Sequence, residues 1–343
     1  MKKEIDCHEF THANAGLASK SRNDKLSSPT KLAPKLAIVV PCYNEEAVVA
    51  HTYNALCQKL DSLIAQNLIA KESFLCFVDD GSRDKTCELL LSLKIPQHKL
   101  IKLTRNYGQQ NALLAGLHFV KDKCDCAVSM DCDLQDDINA LDEILLKFKN
   151  GADIVYGVRK ARDNDTAFKK YTALGFYKFM QIMGVKIPNN HAHYRLLSHR
   201  ACENLLEFKE VNLFLRGIVP LVGYKSEVVY YERGARFAGD TKYSFISLFS
   251  LAWDAITSFS IAPLRLMSVL GVVLFFASIC YGIYALYMKF FTAEPISGWT
   301  STILVLLFFG GMQFLGLGII GEYIGKIYSE VKQRPRYFVE EVL

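Results

Sequence analysis

The sequence predicts an α/β protein: a doubly wound, mostly parallel sheet followed by apolar helices towards the C-terminal end. Three observations carry this expectation. Between residues 35 and 160, short runs that are apolar throughout alternate with segments of helical spacing. Strands covered on both faces read that way, and crossover helices supply the cover. Polar and acidic residues collect where those runs end, and beyond residue 265 charge disappears for two long stretches.

Residues 1 to 34 are polar, lack an apolar h-region and carry "SKSRNDKLSSPTKLAPK" towards their end. They are expected to form a flexible tail without a signal peptide. "KLAIVVP" reads as the first strand and "NEEAVVAHTYNALCQKLDSL" as the helix after it. Asn44 is expected to cap that helix, with Glu45 and Glu46 favourably placed in its first turn. "SFLCFVDD" is the second strand, "SRDKTCELLLSL" a helix, "HKLIKLT" the third strand and "QQNALLAGLHFVK" a helix. "CDCAVSMD" is the fourth strand, and "DIVYGVR" is a fifth after one more helix.

From Leu266 to Met288 no charged residue occurs, and a helix of that length would reach about 34 Å. That suffices for a hydrocarbon core of roughly 30 Å. A second uncharged stretch runs from Pro295 to Gly321, so two membrane spans are expected. Arg265 precedes the first, and Lys326, Lys332, Arg334 and Arg336 follow the second; the positive-inside rule places both chain ends in the cytoplasm. Gly321 and Gly325 form a G-x-x-x-G, a weak hint of close helix packing.

Composition narrows the function. The chain has 343 residues, 51% hydrophobic, with a net charge of +5, too mild to suggest nucleic acid. Its ten cysteines are scattered without a C-x-x-C pair, which fits reduced thiols in a cytoplasmic domain. No G-x-G-x-x-G follows the first strand and no G-x-x-x-x-G-K-[ST] occurs, so a dinucleotide oxidoreductase and a P-loop NTPase are disfavoured. The strand ends read "PCYNEE", "DDGSRD" and "DCDLQDD" instead. In such sheets ligands bind beyond the carboxyl ends of the strands. Asp131 and Asp133, at a D-x-D spacing, can turn towards one point and offer hard oxygens to Mg²⁺ or Mn²⁺. The plainer alternative is that these aspartates cap the next helix or stay solvated.

The segments "IVVPCYNEE", "VDDGSRDKT", "RNYGQQNALLAG", "DCDLQDD", "YGVR", "YRLLSHR" and "RFAGDTKY" occur in the order seen in family 2 glycosyltransferases. The chain resembles the membrane enzymes of that family that load a sugar onto a polyprenyl phosphate, the dolichyl-phosphate mannose synthase and bactoprenol glucosyltransferase group. The resemblance runs from residue 35 onward. It implies a GT-A fold and inverting transfer from a nucleotide-diphosphate sugar. The catalytic domain is expected over 35–242 and two spans with a short external loop over 265–326, with a cytoplasmic tail over 327–343. The mixed apolar segment from Tyr243 is expected to form interfacial amphipathic helices over 243–264, packing against the catalytic domain being an equal alternative. By position, Pro41, Tyr43 and Glu45 look like nucleoside contacts, with Val78 and Asp80 beside the base or ribose. Asp131, Asp133 and Gln135 look like the divalent-metal and diphosphate site, with the Cys132 backbone between them. Arg159, Arg236 and Lys242 look like phosphate-binding cations. Packing could account for Tyr43, helix-dipole compensation for Glu45, and a basic approach to anionic lipid for Arg236 and Lys242.

One position departs from the pattern. Relatives commonly carry an acid before the "YRLLS" segment, in a position proposed as the catalytic base, whereas this chain has His193. His193 could serve as the base, steady the acceptor, or mark impaired or altered activity. A phosphate monoester has a second pKa of about 6 and needs little help losing a proton. His191 and His193 could suggest zinc, but no further ligand is indicated. The expected function is transfer of one sugar, UDP-glucose being the first donor to test, to undecaprenyl phosphate at the cytoplasmic membrane with Mg²⁺ or Mn²⁺. GDP-mannose, UDP-N-acetylhexosamine and a modified UDP-pentose stay open as donors. A processive polysaccharide synthase is disfavoured by two spans and no Q-x-x-R-W, and a non-catalytic scaffold would rest on His193 alone. A homo-oligomer is plausible, because two spans make a small bundle.

Overall fold

The computed structural model describes residues 33–93, 98–160, 191–211, 215–232, 234, 256–257, 260–291 and 298–343. Its strands are β1 (Leu36–Cys42), β2 (Phe74–Asp79), β3 (His98–Leu103), β4 (Cys126–Ser129), β5 (Ile154–Arg159), β6 (His191–Ser198), β7 (Ser226–Tyr231) and β8 (Val339–Val342). They form one sheet in the order β7-β5-β6-β4-β1-β2-β3-β8. The five strands read from the sequence are all present. Strands β3, β2, β1 and β4 run parallel. The chain winds outwards from β1 to β3 and then returns to the other side of β1, so the winding reverses between β1 and β4. Loops leaving those two strands diverge there and leave a crevice for ligands.

Helices α1 (Val49–Ala65), α2 (Thr86–Ser92) and α4 (Ala140–Lys149) cover one face of the sheet. Helices α3 (Gln109–Val120), α5 (His199–Leu206) and the single turn α6 (Leu215–Ile218) cover the other. The alternation along the strands explains the two cores. In β1, Leu36, Ile38 and Val40 face the first layer, and Ala37 and Val39 the second. Helix α3 presses on the sheet where Gly116 leaves room; a Cβ there would lie 2.3 Å from Val39 Cγ1.

Asn44 does not cap α1. The helix begins at Val49 with no acidic residue in its first turn. Asn44 takes a left-handed φ of 52° and accepts the Arg83 N–H at 2.9 Å, while Glu46 accepts the Lys85 N–H at 3.1 Å. These side chains tie the loop after β1 to the loop after β2, a partner far away in sequence that outcompetes the local cap.

Strand β6 inserts antiparallel between β4 and β5, making the sheet mixed at this end. Two long helices follow, α7 (Ala262–Phe291) and α8 (Trp299–Val331). Ala262–Tyr284 is long and apolar enough to cross a membrane and is the one such segment among the described residues. The second expected span is not confirmed as one, although α8 is present. Tyr323 in α8 donates to the carbonyl of Ser260, just before α7, at 2.6 Å. Added Cβ atoms at Gly321 and Gly325 would meet nothing within 4 Å among the described residues, so the G-x-x-x-G brings no other described segment close.

The segment read as a C-terminal tail is instead tied to the catalytic sheet. Strand β8 pairs antiparallel with β3 at the edge. Around it, Tyr337 Oη meets His118 Nδ1 at 2.6 Å, Arg336 donates to the Phe208 carbonyl, and Glu330 accepts the Val211 N–H. The N-terminal tail (1–32 of it) and most of 243–264 lie outside the described residues.

Candidate active site

The loops after β1, β2 and β4 carry the expected residues to the crevice. Pro41 sits beside Val78 in the β1–β2 register. It lies beyond the last β1–β4 pair, so on that side its missing N–H interrupts no ladder bond. Val78 is wholly buried in the α3-side core, so its side chain is packing. Tyr43 is half-buried. The Glu45 N–H donates to Thr86 Oγ1 at 2.8 Å, fixing the loop after β1. Asp80 is buried, and its two carboxylate oxygens accept the Tyr107 and Gly108 N–H groups at 2.7 and 2.9 Å. It thereby pins the turn that starts α3. Gly81, at φ +66°, crosses this turn so closely that a Cβ would lie 2.5 Å from the Arg105 carbonyl carbon.

The chain leaving β4 curls through Asp131, Cys132 and Asp133, with Leu134 in the left-handed region at φ 52°. Thr52 of α1 donates to the Cys132 carbonyl at 2.6 Å, and Asp133 Oδ1 accepts the Gln135 N–H at 3.2 Å. Gln109, the first residue of α3, donates Nε2 to Asp131 Oδ1 at 2.7 Å. Burial first, then the charges of Asp136 and Asp133, push Asp131 up to about 7, against the pull of Arg159 and Arg216. These carboxylates therefore crowd one another, and a divalent cation would relieve the repulsion. Asp131 and Asp133 suit Mg²⁺ or Mn²⁺, which take few protein carboxylates and complete their shell with water and phosphate. Gln135 is buried.

Arg159, at the end of β5, is held by a carboxylate. Its Nε and one terminal amine reach Asp136 Oδ1 at 3.1 and 2.8 Å, and Tyr231 of β7 donates to the same oxygen at 2.5 Å. Gly157 makes room for this group, since a Cβ there would touch both Tyr194 and Tyr231. Arg236 and Lys242 lie outside the described residues.

Position 193 is electropositive. Burial, then Arg216, Arg195 and Arg159, holds His193 down at about 3. Among the described residues its Nδ1 is buried without a hydrogen-bond partner. An imidazole in this setting stays neutral at physiological pH and is a poor proton acceptor, which argues against the base reading. Sequence reading left Arg195, Arg216, Gln109 and Asp136 unassigned. Arg195 lay inside the quoted "YRLLSHR", and only its inward direction in β6 reveals it.

The depressed imidazole has a thermodynamic consequence. An unfolded histidine titrates at about 6.5, so below that pH the unfolded chain gains a proton that the folded chain refuses. Stability therefore declines as pH falls from about 6.5 towards 3, by up to about 1.4 kcal/mol per pH unit from this residue. His193→Gln should remove one proton from that slope, read from unfolding of the detergent-solubilised protein between pH 7.5 and 5. Equal slopes for both proteins would show that His193 is protonated in the folded state.

Comparison with known proteins bears on this arrangement. The profile described as Glycosyl transferase family 2 matches residues 37–206, and that described as the GtrB C-terminal hairpin matches residues 262–327. The protein named uncharacterized glycosyltransferase YkoT of Bacillus subtilis is 50% identical over 309 residues, 90% of this chain and 91% of that protein. The prophage bactoprenol glucosyl transferase homolog of Escherichia coli is 36% identical over 311 residues, 90% of this chain and 99% of that protein. Among solved structures, mannosyltransferase PcManGT from Pyrobaculum calidifontis is 14% identical, with 89% of each chain covered and a TM-score of 0.41. With the family profile lying along the sheet and the acidic loop, and full-length relatives at such identity, this chain belongs to glycosyl transferase family 2 and is a glycosyltransferase.

Proposed function

We propose that this enzyme transfers one sugar, with inversion, from a nucleotide-diphosphate sugar to a polyprenyl phosphate at the cytoplasmic face of a membrane, with UDP-glucose as first donor and undecaprenyl phosphate as first acceptor. The observation that carries the reading is the pair Asp131 and Asp133 on the loop leaving β4 at the β1–β4 reversal, where burial and neighbouring carboxylates raise Asp131 and a diphosphate chelate would neutralise the charge. Support for the lipid acceptor comes from relatives named bactoprenol glucosyl transferase, which this chain matches over 98–99% of their length, and from the apolar helix Ala262–Tyr284.

Asp131 and Asp133 would hold Mg²⁺ or Mn²⁺, which when bound neutralises charge developing on the departing diphosphate. Arg159, oriented by Asp136 and Tyr231, would offer its remaining terminal amine to the same charge. A phosphate oxygen of the acceptor forms the new bond to the sugar's anomeric carbon as the bond to the diphosphate oxygen breaks. The acceptor is largely dianionic at neutral pH, so no group need take a proton, consistent with a neutral His193.

Purified protein, undecaprenyl phosphate and a panel of radiolabelled UDP- and GDP-sugars test this with Mg²⁺ or Mn²⁺ present. Labelled lipid from one donor, abolished by EDTA, is expected. Turnover that persists in excess EDTA would remove the metal, and no labelled lipid from any donor would remove the acceptor.

A further inference from the structure

Among the described residues, Arg195 Nε and one terminal amine, Arg216 Nε and His193 Nδ1, carried by β6 and the neighbouring turn α6, are buried and have no hydrogen-bond partner. Arg195 is only 3% exposed. Leaving a buried cation short of partners is costly, and native structures rarely do so without reason.

The backbone that carries these side chains is tied together. In β6, His193 and Arg195 point to the α3 side, opposite Tyr194 and Leu196. Ser129 donates its hydroxyl to the His193 carbonyl, fixing the strand. Arg195 donates to the Leu215 carbonyl at 3.2 Å, and the Leu215 N–H donates to Gln110 Oε1 at 2.8 Å. The Gln110–Leu215–Arg195 chain locks Arg216, the next residue of α6, beside the strand. Gln109, one residue before Gln110, binds Asp131. The first turn of α3 thus touches an acidic loop on one side and a basic pocket on the other.

Building on the polyprenyl-phosphate reading above, we propose that Arg195, Arg216 and His193 form the seat of the acceptor's phosphate monoester. Two guanidinium groups and an imidazole N–H offer several donors to one tetrahedral anion. A diphosphate donor anchored through a cation at Asp131 and Asp133 already has its countercharge. The pocket beside it carries positive charge without a chelating metal, which suits a second, free anion. Adjacency matters, because reacting atoms must be held about 3–3.5 Å apart. At position 193 a neutral imidazole can donate its N–H to the dianion.

Calorimetric binding to the full-length protein in detergent tests the assignment. The probes are a short-chain prenyl monophosphate, the matching prenol, and a nucleoside diphosphate with Mn²⁺. Wild type should bind the monophosphate and not the prenol. Arg216→Gln and Arg195→Met should each weaken the monophosphate about tenfold or more, the scale of a charge-assisted contact, and change the nucleoside diphosphate less than about twofold. Arg216→Lys, on the half-exposed helical turn, guards against misfolding of the Arg195 variant and should show an intermediate loss. Unchanged monophosphate binding in all three variants overturns the proposal. So does a loss confined to the nucleoside diphosphate, which would assign the pocket to the donor. Wild type that binds monophosphate through these residues but labels no lipid phosphate would leave the pocket standing and remove the transfer reaction.

Discussion

Asp133→Ala is expected to slow sugar transfer by about a thousandfold while leaving the fold intact. A cation at the β4 loop would have two carboxylates from this chain, and the substitution removes one. Stabilising charge on a departing diphosphate is worth several kcal/mol, and each 1.36 kcal/mol is about tenfold in rate. The loop itself should survive. Thr52 still holds the Cys132 carbonyl, and the Gly234 N–H still reaches the Gln135 carbonyl at 2.9 Å. The 3.2 Å contact from the Gln135 N–H to the carboxylate is lost, one hydrogen bond in a loop held by these others. Initial rates at saturating donor, together with the unfolding midpoint, check both halves. A rate within about tenfold of wild type would show that Asp133 does not hold the cation.

Asp136→Ala should cost stability and activity together. Asp136 is 2% exposed, and one of its oxygens takes three contacts, two from Arg159 and one from Tyr231. Removing one partner of a buried pair leaves an uncompensated charge and typically costs about 3–5 kcal/mol. Arg159 keeps some solvent, its side chain being 24% exposed, so about 3 kcal/mol is the expected loss. The exposed pair Lys102–Glu340 should by contrast contribute less than about 1 kcal/mol. Tyr231→Phe, which removes the hydrogen bond to Asp136 and the 3.3 Å contact accepted from Arg159 Nε, should cost about 1–2 kcal/mol. Denaturant unfolding of the three proteins gives the comparison. Equal stability for Asp136→Ala and wild type would mean that Arg159 finds another partner and is not positioned by Asp136.

Much of this protein is legible without coordinates, and the residues show why. Strands β1 to β5 are apolar runs bounded by polar turns, and burial on both faces requires such a pattern wherever the sheet is covered by helices. The "DCDLQDD" loop stands out because so many carboxylates tolerate proximity only with a cation or solvent between them. The apolar stretch from residue 266 announces itself by length alone.

Other features were decided only by tertiary structure. Asn44 has the chemistry of a helix cap, yet it binds the loop after β2, because a partner brought near by the sheet competes with the local one. Asp80 could face a ribose by sequence, yet both its oxygens hold the turn before α3. "FVEEV" lies in the expected tail and becomes an edge strand on β3, a pairing between segments far apart in sequence. Arg195 sits in a strand whose alternation turns it inwards, where no local rule would place an unpaired cation. The sequence by itself determined the layers, the acidic loop and the apolar helix, because hydrophobic periodicity and charge density are local properties. Which polar groups meet, and which are left waiting for a ligand, depends on contacts between distant segments, and those exist only once the sheet has closed around β1 and β4.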